Sequence, residues 1–338
     1  MNLSANILKL RRAVFAVSAA TLLAVPCNSR AADLASATDA LLNGSSNAAV
    51  AQLKQVLSAD PSNGQAHLLL CRAYYAQSLA SAAASECTIA LRTLGNDSAA
   101  QDWAGRAYGM QADTAGPIAG LRLAFKVRNA FEAAVRLNPL NGDAVNDLSE
   151  YYIDAPSIVG GGFDKAALLA DRSAAELPQN AHRTRAMSAE KQKDYATAER
   201  EFRAATAVAN KPNAWADLGA FYSRRAQNDQ AVEALRRAIA LDRTHDATLV
   251  DAATTLTEMN REPRLAERGL RDYLASRSKS DAAPAFRVHV TLAKLLRNQG
   301  NTAEAKIELG RAIDLAADYA PARKELAALE HQTTIAAR

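Results

Sequence analysis

The sequence predicts an all-α chain: an α-solenoid of about eight helix-turn-helix units with a C-terminal capping helix. Three observations predict it. Nearly half of the 338 residues are hydrophobic, yet only 5% are aromatic, and Ala supplies runs such as AATLLA, ASAAAS and AALLADRSAAE. That composition has high helix propensity and buries little area per side chain, which argues against a large β-sandwich. In the clearest stretch, NAWADLGAFYSRRAQNDQAVEALRRAIALDR, apolar residues recur at offsets of three, four and seven, the spacing of two amphipathic helices. The same frame then returns along nearly the whole chain, and a period of roughly 20–50 residues overrides a domain count taken from length.

The chain opens on a segment of a different kind. Met1 to Arg12 is short and polar with Lys9, Arg11 and Arg12; Ala13 to Val25 is an apolar run; Pro26 and Ser29-Arg30-Ala31 follow. This is the layout of a secretory signal peptide, and residues 1–31 are expected to be removed after Ala31. The apolar run is shorter than the about 20 residues that a membrane span needs, and no later segment reaches that length. Lipidation at Cys27 is the weaker alternative, because Pro26 stands where a lipoprotein signal has a small residue. The whole chain carries a formal charge of +4, which invites nucleic acid or an anionic membrane as partner. All four excess charges, Lys9, Arg11, Arg12 and Arg30, lie in the leader, and the remaining 36 basic residues balance 36 acidic ones. Electrostatics therefore has to be read locally.

Residues 32–319 read as the repeat array. A short first unit runs from Asp33 to Pro61. The second carries Leu70, Cys71 and Tyr74, then Ala83, Cys87 and Ala90. Weaker units follow, with Tyr108 before Phe131, Ala134 and Pro139, and with Leu148 and Tyr152 before Ala166, Ala170 and Pro178. Next come Ala198, Phe202 and Ala205; then the clearest unit, with Trp215, Leu218, Gly219 and Tyr222 on its first helix and Ala231, Leu235 and Ala238 on its second. Leu256 with Ala266, Leu270 and Tyr273 precedes a last unit with Leu292, Ala293 and Leu296, then Ala305, Leu309 and Ala312. Equivalent second-helix positions fall at 49, 83, 127, 166, 198, 231, 266 and 305, in steps of 34, 44, 39, 32, 33, 35 and 39. Residues 320–338 read as a capping helix and short tail, which an open stack needs to shield its last unit.

The clearest unit resembles the tetratricopeptide repeat (TPR), whose pattern places Trp, Leu-Gly and Tyr on the first helix, then Ala, a large residue and Ala on the second. Arg243 departs from the family's closing Pro. The two long steps around residue 127 place GMQADTAGPIAGLRLAFK and IDAPSIVGGGFDK between the helices of adjacent units. Both are expected to emerge as loops on one edge, where insertions often form a binding face.

Few motifs point to chemistry. Gly160-Gly161-Gly162 with Lys165 could offer backbone N–H groups to an anion, but it lacks the P-loop spacing and follows no strand, so it reads as a turn. Pro156 to Lys165 is similar to a loop in TPR proteins related to the accessory subunit of TRAP-type solute transporters and to the RMDN family. Ser188-x-x-Lys191 and Ser276-x-x-Lys279 lack the companion motifs of penicillin-recognising enzymes. His67, His182 and His289 share one first-helix position, where packing is the expected role; no metal-ligand spacing and no cofactor motif is present. Cys71 and Cys87 fall on facing helices about one turn out of register, and two readings stay open: a disulfide, or two small buried apolar side chains. Trp103 and Trp215 read as packing residues, and a basic stripe interleaved with aromatics for nucleic acid is missing.

The TPR resemblance implies a concave surface lined by first-helix residues that accepts an extended peptide or a partner's helix. Carried onto this frame, the groove positions are Arg72, Tyr75, Arg106, Asn146, Glu150, Arg183, Arg224, Lys294 and Arg297. Several Arg beside a Tyr suit a carboxylate-bearing or polar peptide. The expected function is an exported, periplasmic, non-catalytic scaffold for a protein or peptide partner. The alternative is an accessory subunit that relays a small molecule to a transporter.

Overall fold

The structure, a computed structural model, describes residues 27–336, with side chains from 33 to 331. Seventeen α-helices and no strand occur among those residues. Sixteen of them form eight antiparallel pairs. The first four are α1 (Cys27–Leu42) with α2 (Ser46–Ala59), α3 (Gly64–Ala76) with α4 (Ala80–Leu94), α5 (Ser98–Asp113) with α6 (Pro117–Leu137), and α7 (Gly142–Asp154) with α8 (Phe163–Ser173). The second four are α9 (Pro178–Lys191) with α10 (Tyr195–Ala209), α11 (Pro212–Arg224) with α12 (Asn228–Leu241), α13 (Ala247–Glu258) with α14 (Pro263–Ala275), and α15 (Ala285–Asn298) with α16 (Thr302–Leu315). Helix α17 (Ala320–Ala336) closes the array, where the capping helix was expected. The leader expected at residues 1–31 lies outside the described residues up to residue 26, and its last residues begin α1.

Local chemistry sets where these helices begin and turn. Side chains of Asn63, Asp97, Asn141, Asp194, Asp246 and Asn301 each accept a hydrogen bond from a backbone N–H in the first turn that follows, satisfying a donor the helix itself leaves open. Within six of the pairs, the second residue after the first helix sits in the left-handed region: Gly44, Ser78, Lys193, Ala226, Asn260 and Gly300. At Gly44 the requirement is double, because a Cβ there would also stand 2.4 Å from the backbone nitrogen of Ala285. The usual Pro is absent at Arg243, and there the buried Asp242 carboxylate accepts from the backbone of Thr244, His245 and Asp246, which turns the chain into α13.

The recurring small residue is the pivot of each pair. Ala49, Ala83, Ala166, Ala198, Ala231, Ala266 and Ala305 are each the fourth residue of their helix and fully buried, so the partner helix lies close against them. Large side chains fill the space between pairs, with Phe202, Tyr222, Leu235, Leu270 and Tyr273 among the most buried. Consecutive odd-numbered helices touch one another throughout the array, whereas the one even-numbered pair in close contact is α2 with α16. The odd-numbered first helices therefore line the inner, concave side.

Two expectations need correction. The longest step, from 83 to 127, does not make a loop: its extra residues lengthen α5 to 16 residues and α6 to 21, joined by a tight turn at 114–116. Pro117 stands at the first position of α6, where its fixed φ suits a helix start, and the apolar pattern continues from there. The 155–162 insertion is a loop, with a 3-10 turn at Ser157–Val159, and it packs against the lengthened α6: the Tyr151 hydroxyl donates to the carbonyls of both Ala124 and Val159, at 3.0 and 2.9 Å. Cys71 and Cys87 are also in register, not a turn apart: their Cα atoms lie 5.3 Å apart and they form a disulfide.

The array curves far enough for its two ends to meet. Arg72 on α3 makes a two-pronged ion pair with Asp281, at 2.6 and 2.9 Å, across 209 residues of sequence. Arg287 on α15 donates to the carbonyl of Ala76 at 2.8 Å and reaches the Tyr75 carbonyl and the Ser78 hydroxyl. Asn47 on α2 donates to the carbonyl of Asp314 and accepts from the backbone of Ala317. Asp281 is presented by the connection between α14 and α15, anchored on buried Tyr273, whose hydroxyl donates to Ala283 at 2.6 Å and accepts from the Ser280 N–H. The solenoid is a closed ring.

Candidate functional site

The ring's inner face carries the candidate groove residues, and nearly every cation among them already holds a carboxylate of the same chain. Arg106 pairs with Asp147 on the next first helix and with Asp102 on its own, the latter at 3.0 Å. Arg183 bridges Glu150 at 2.7 Å and Asp217 at 3.3 Å, one on either side of it. Arg224 grips Glu190 with two bonds of 2.8 Å. Arg297 and Lys294 share Glu325 of α17, at 2.7 and 3.8 Å. Asn146 accepts from Asn180 at 3.0 Å. These rungs tie consecutive first helices together across the concave face.

Trp103 is the centre of the best-formed part. It lies between the guanidiniums of Arg72 and Arg106, 5.1 and 4.8 Å from its ring centre, with Tyr75 edge-on at 5.5 Å. Stacking of this kind holds arginine planes in place. Around it opens a cavity of about 670 Å³ lined from both ends of the array, by Tyr75, Trp103, Arg106 and Glu150 on one side and Asp281 and Arg287 on the other. Carboxylates outnumber cations on its wall, with Asp113, Asp147, Glu150, Asp154 and Asp281 facing Arg106 and Arg287. Burial pushes Asp102 up to about 7, opposed by Arg106 and aided by Asp147; burial likewise raises Asp147 and Asp217. One oxygen of Asp102 is buried without a hydrogen-bond partner, which suits a protonated carboxyl. Arg183 and Arg224 line a neighbouring hollow of about 560 Å³ with Lys191, Lys193 and Tyr195. There a buried nitrogen of Arg183 has no partner. The structure thus gathers Tyr75, Arg106 and Glu150 at one cavity and Arg183 and Arg224 at the next. Lys294 and Arg297 are taken up by α17.

The edge loop is built rather than slack. Pro156 starts the 3-10 turn, and the N–H groups of Gly160, Gly161 and Gly162 donate to Ser157, Pro156 and Tyr152. A Cβ at Gly161 would stand 1.8 Å from the carbonyl oxygen of Ala155, so only glycine fits. Lys165 donates to the Gly160 carbonyl at 2.8 Å and its ammonium lies over Tyr152. The three glycine N–H groups and the Lys165 ammonium, the donors that could have met an anion, are used within the chain.

The three aligned histidines do more than pack. His67, His182 and His289 each bond through Nδ1 to a glutamate 19 residues later, Glu86, Glu201 and Glu308, at 2.5, 2.8 and 2.6 Å. The recurring spacing was present in the sequence. Glu308 is buried, which alone would raise its pKa, but His289, Arg311 and Arg271 hold it below the usual value. Among the described residues, no group of three or more His, Cys, Asp or Glu is placed to hold a metal ion, and no helix is long and apolar enough to cross a membrane.

Residues 212–245 and 286–319, the sixth and eighth pairs, match the family model of the tetratricopeptide repeat. The chain carries tetratricopeptide repeats. The remaining six pairs share the TPR frame of a buried Ala at the fourth position or, in α6, its displaced equivalent Val127. No curated protein matches the sequence. Among solved structures, a thermophilic TPR protein of Thermus thermophilus is similar at 16% identity and a TM-score of 0.45, covering 67% of this chain and 98% of that one. The APC/C hetero-tetramer Cut9-Hcn1 is similar at 13% identity and a TM-score of 0.41, covering 85% of this chain and 53% of that one.

Proposed function

We propose that the chain is an exported interaction scaffold that holds a protein or peptide segment against its concave face and performs no catalysis. The observation that carries this reading is the cavity around Trp103, with its aromatic wall and surplus of carboxylates. Because the groove arginines are engaged by Asp102, Asp147, Glu150, Asp217 and Glu190, they serve mainly to hold the acidic wall in place. A segment bearing Lys or Arg finds there both counter-charge and ring faces. A second reading, relay of a small solute to a transporter, is favoured by the ring closure, which brings both ends of the array to the wall of one open cavity within the usual size of ligand pockets, roughly 300–1,000 Å³.

Affinity capture from periplasmic extract with wild type and with Asp113→Asn/Glu150→Gln separates them. A protein retained by wild type and lost by the variant supports the scaffold. A small molecule found by native mass spectrometry, with no protein retained, supports relay instead. Export predicts a purified chain whose first residue is Ala32; an N-terminus at Met1 after expression in a Gram-negative host refutes it.

A further inference from the structure

Eight of the ten exposed large apolar side chains among the described residues fall between residues 118 and 168. Half of those sit where the lengthened α6 and the 155–162 loop meet. Ile118, Leu121 and Phe125 share one face of α6 and are 73%, 43% and 37% exposed; Ile158, at the loop's crest, is 74% exposed. The loop is pinned beside that face, since Tyr151 ties Val159 to Ala124, and Arg128 lies both over the Phe125 ring and against Gly160. Arg122 and Lys126 flank the apolar stripe on one side and Arg128 on the other, and residues 117–131 of α6 contain no acid. Neither Arg122 nor Lys126 has a carboxylate partner among the described residues, in contrast to the arginines of the concave face.

We infer that this edge is a docking surface for an anionic lipid bilayer. Three features favour a lipid surface over a partner protein. The stripe is apolar with cations on both flanks, the pattern of helices that lie in a bilayer interface. It is convex, whereas a partner's helix seats in a groove. It also stands proud: Val127 is the eleventh residue of α6 where the equivalent alanines are fourth in their helices, and seven added residues extend the helix by about 10 Å. An interfacial side-chain layer sinks about 5–10 Å into the headgroup region. None of Ile118, Leu121, Arg122, Phe125, Lys126 and Ile158 lines the concave cavity, so the surface is independent of the scaffold reading.

Flotation with vesicles of phosphatidylcholine alone, and of phosphatidylcholine mixed with phosphatidylglycerol, tests the assignment. Wild type is expected to float with the anionic vesicles only and to be released by high salt. Arg122→Glu/Lys126→Glu should weaken binding at least tenfold, given about a fivefold loss for each cation removed near an anionic surface. Ile118→Ser/Leu121→Ser/Phe125→Ser should do the same without changing the salt dependence. All five positions are exposed, and an unchanged circular dichroism melt confirms folding; should the triple variant melt early, the charge-reversal pair alone decides. Residues 1–31 are identical in every protein, so attachment driven by the leader would leave all of them floating equally, and that result overturns the proposal. So does a wild type that fails to float, including the case in which the variants lose a captured protein, which would make the edge a protein interface.

Discussion

Removing the Asp281 carboxylate should weaken the ring where its ends meet. The Asp281 carboxylate accepts two charged hydrogen bonds from Arg72, at 2.6 and 2.9 Å, and both groups are largely buried. Hydrogen bonds to charged groups contribute about 1.5–3 kcal/mol, while an exposed ion pair contributes at most about 1 kcal/mol. A double-mutant cycle of Arg72→Ala, Asp281→Ala and the pair should therefore give a coupling energy of about 1.5–3 kcal/mol in urea unfolding followed by circular dichroism. Arg72→Ala should cost slightly more on its own, because it also uncovers Trp103. The Asn47 and Arg287 contacts still span the joint, so the single variants should keep their radius of gyration in small-angle scattering. Asp281→Ala/Arg287→Ala should expand. In an open stack, residues 209 apart on the first and last turns would not interact at all. A coupling energy near zero together with unchanged scattering of the double variant would refute the closed ring.

Other outcomes follow from single sites. Cys71→Ser/Cys87→Ser, or reduction of wild type, should cost about 3 kcal/mol by releasing a closed loop of 16 residues, read as a lower urea midpoint. Asp102→Asn should stabilise the protein by about 1–3 kcal/mol at pH 8 and leave it unchanged near pH 4. The sign follows from a carboxyl raised from 3.8 to about 7: its contribution is complete below the unfolded value and disappears as pH climbs through 7, a loss that Asn does not suffer. Glu308→Ala should cost about 2 kcal/mol at neutral pH by orphaning His289 and Arg311, and the penalty should shrink as pH falls below 4.5, since Glu308 is held below that value. Ala226→Gly should raise stability by about 0.5–1 kcal/mol, because the left-handed conformation at φ 56° is strained for Ala and free for Gly.

Much of the fold was legible because one spacing governs it. The buried Ala of each second helix, read from a single strong unit, located seven of eight pairs to the residue. The failures have separate causes. Pattern reading treats added length as loop, whereas residues 109–126 extend two helices about one short turn at 114–116. The register of Cys71 and Cys87 was misjudged, and their pairing left open, because helix crossing angle, absent from the sequence, sets whether the two face each other. The groove positions lie on the first helices, but their engagement was missed: Asp147, Glu150, Asp217 and Glu190 come from neighbouring units, and three of the four pairs span 33 or 34 residues, about one repeat. Two signals were present and unused: the 19-residue His-to-Glu spacing repeated three times, and the final step of 39, which supplies the connection that carries Asp281.

The closed ring also changes how the molecule comes apart. A linear stack of nearest-neighbour units has two ends, each held on one side only, and opening starts there and moves inward. Here the first and second pairs meet the eighth through Asn47, Arg72 and Arg287. Every unit then has neighbours on both sides, like a chain with periodic boundaries, and no unit can leave without breaking two interfaces. Amide exchange should accordingly be even around the circle, with the slow core extending into α2, α3, α15 and α16 rather than fading toward them.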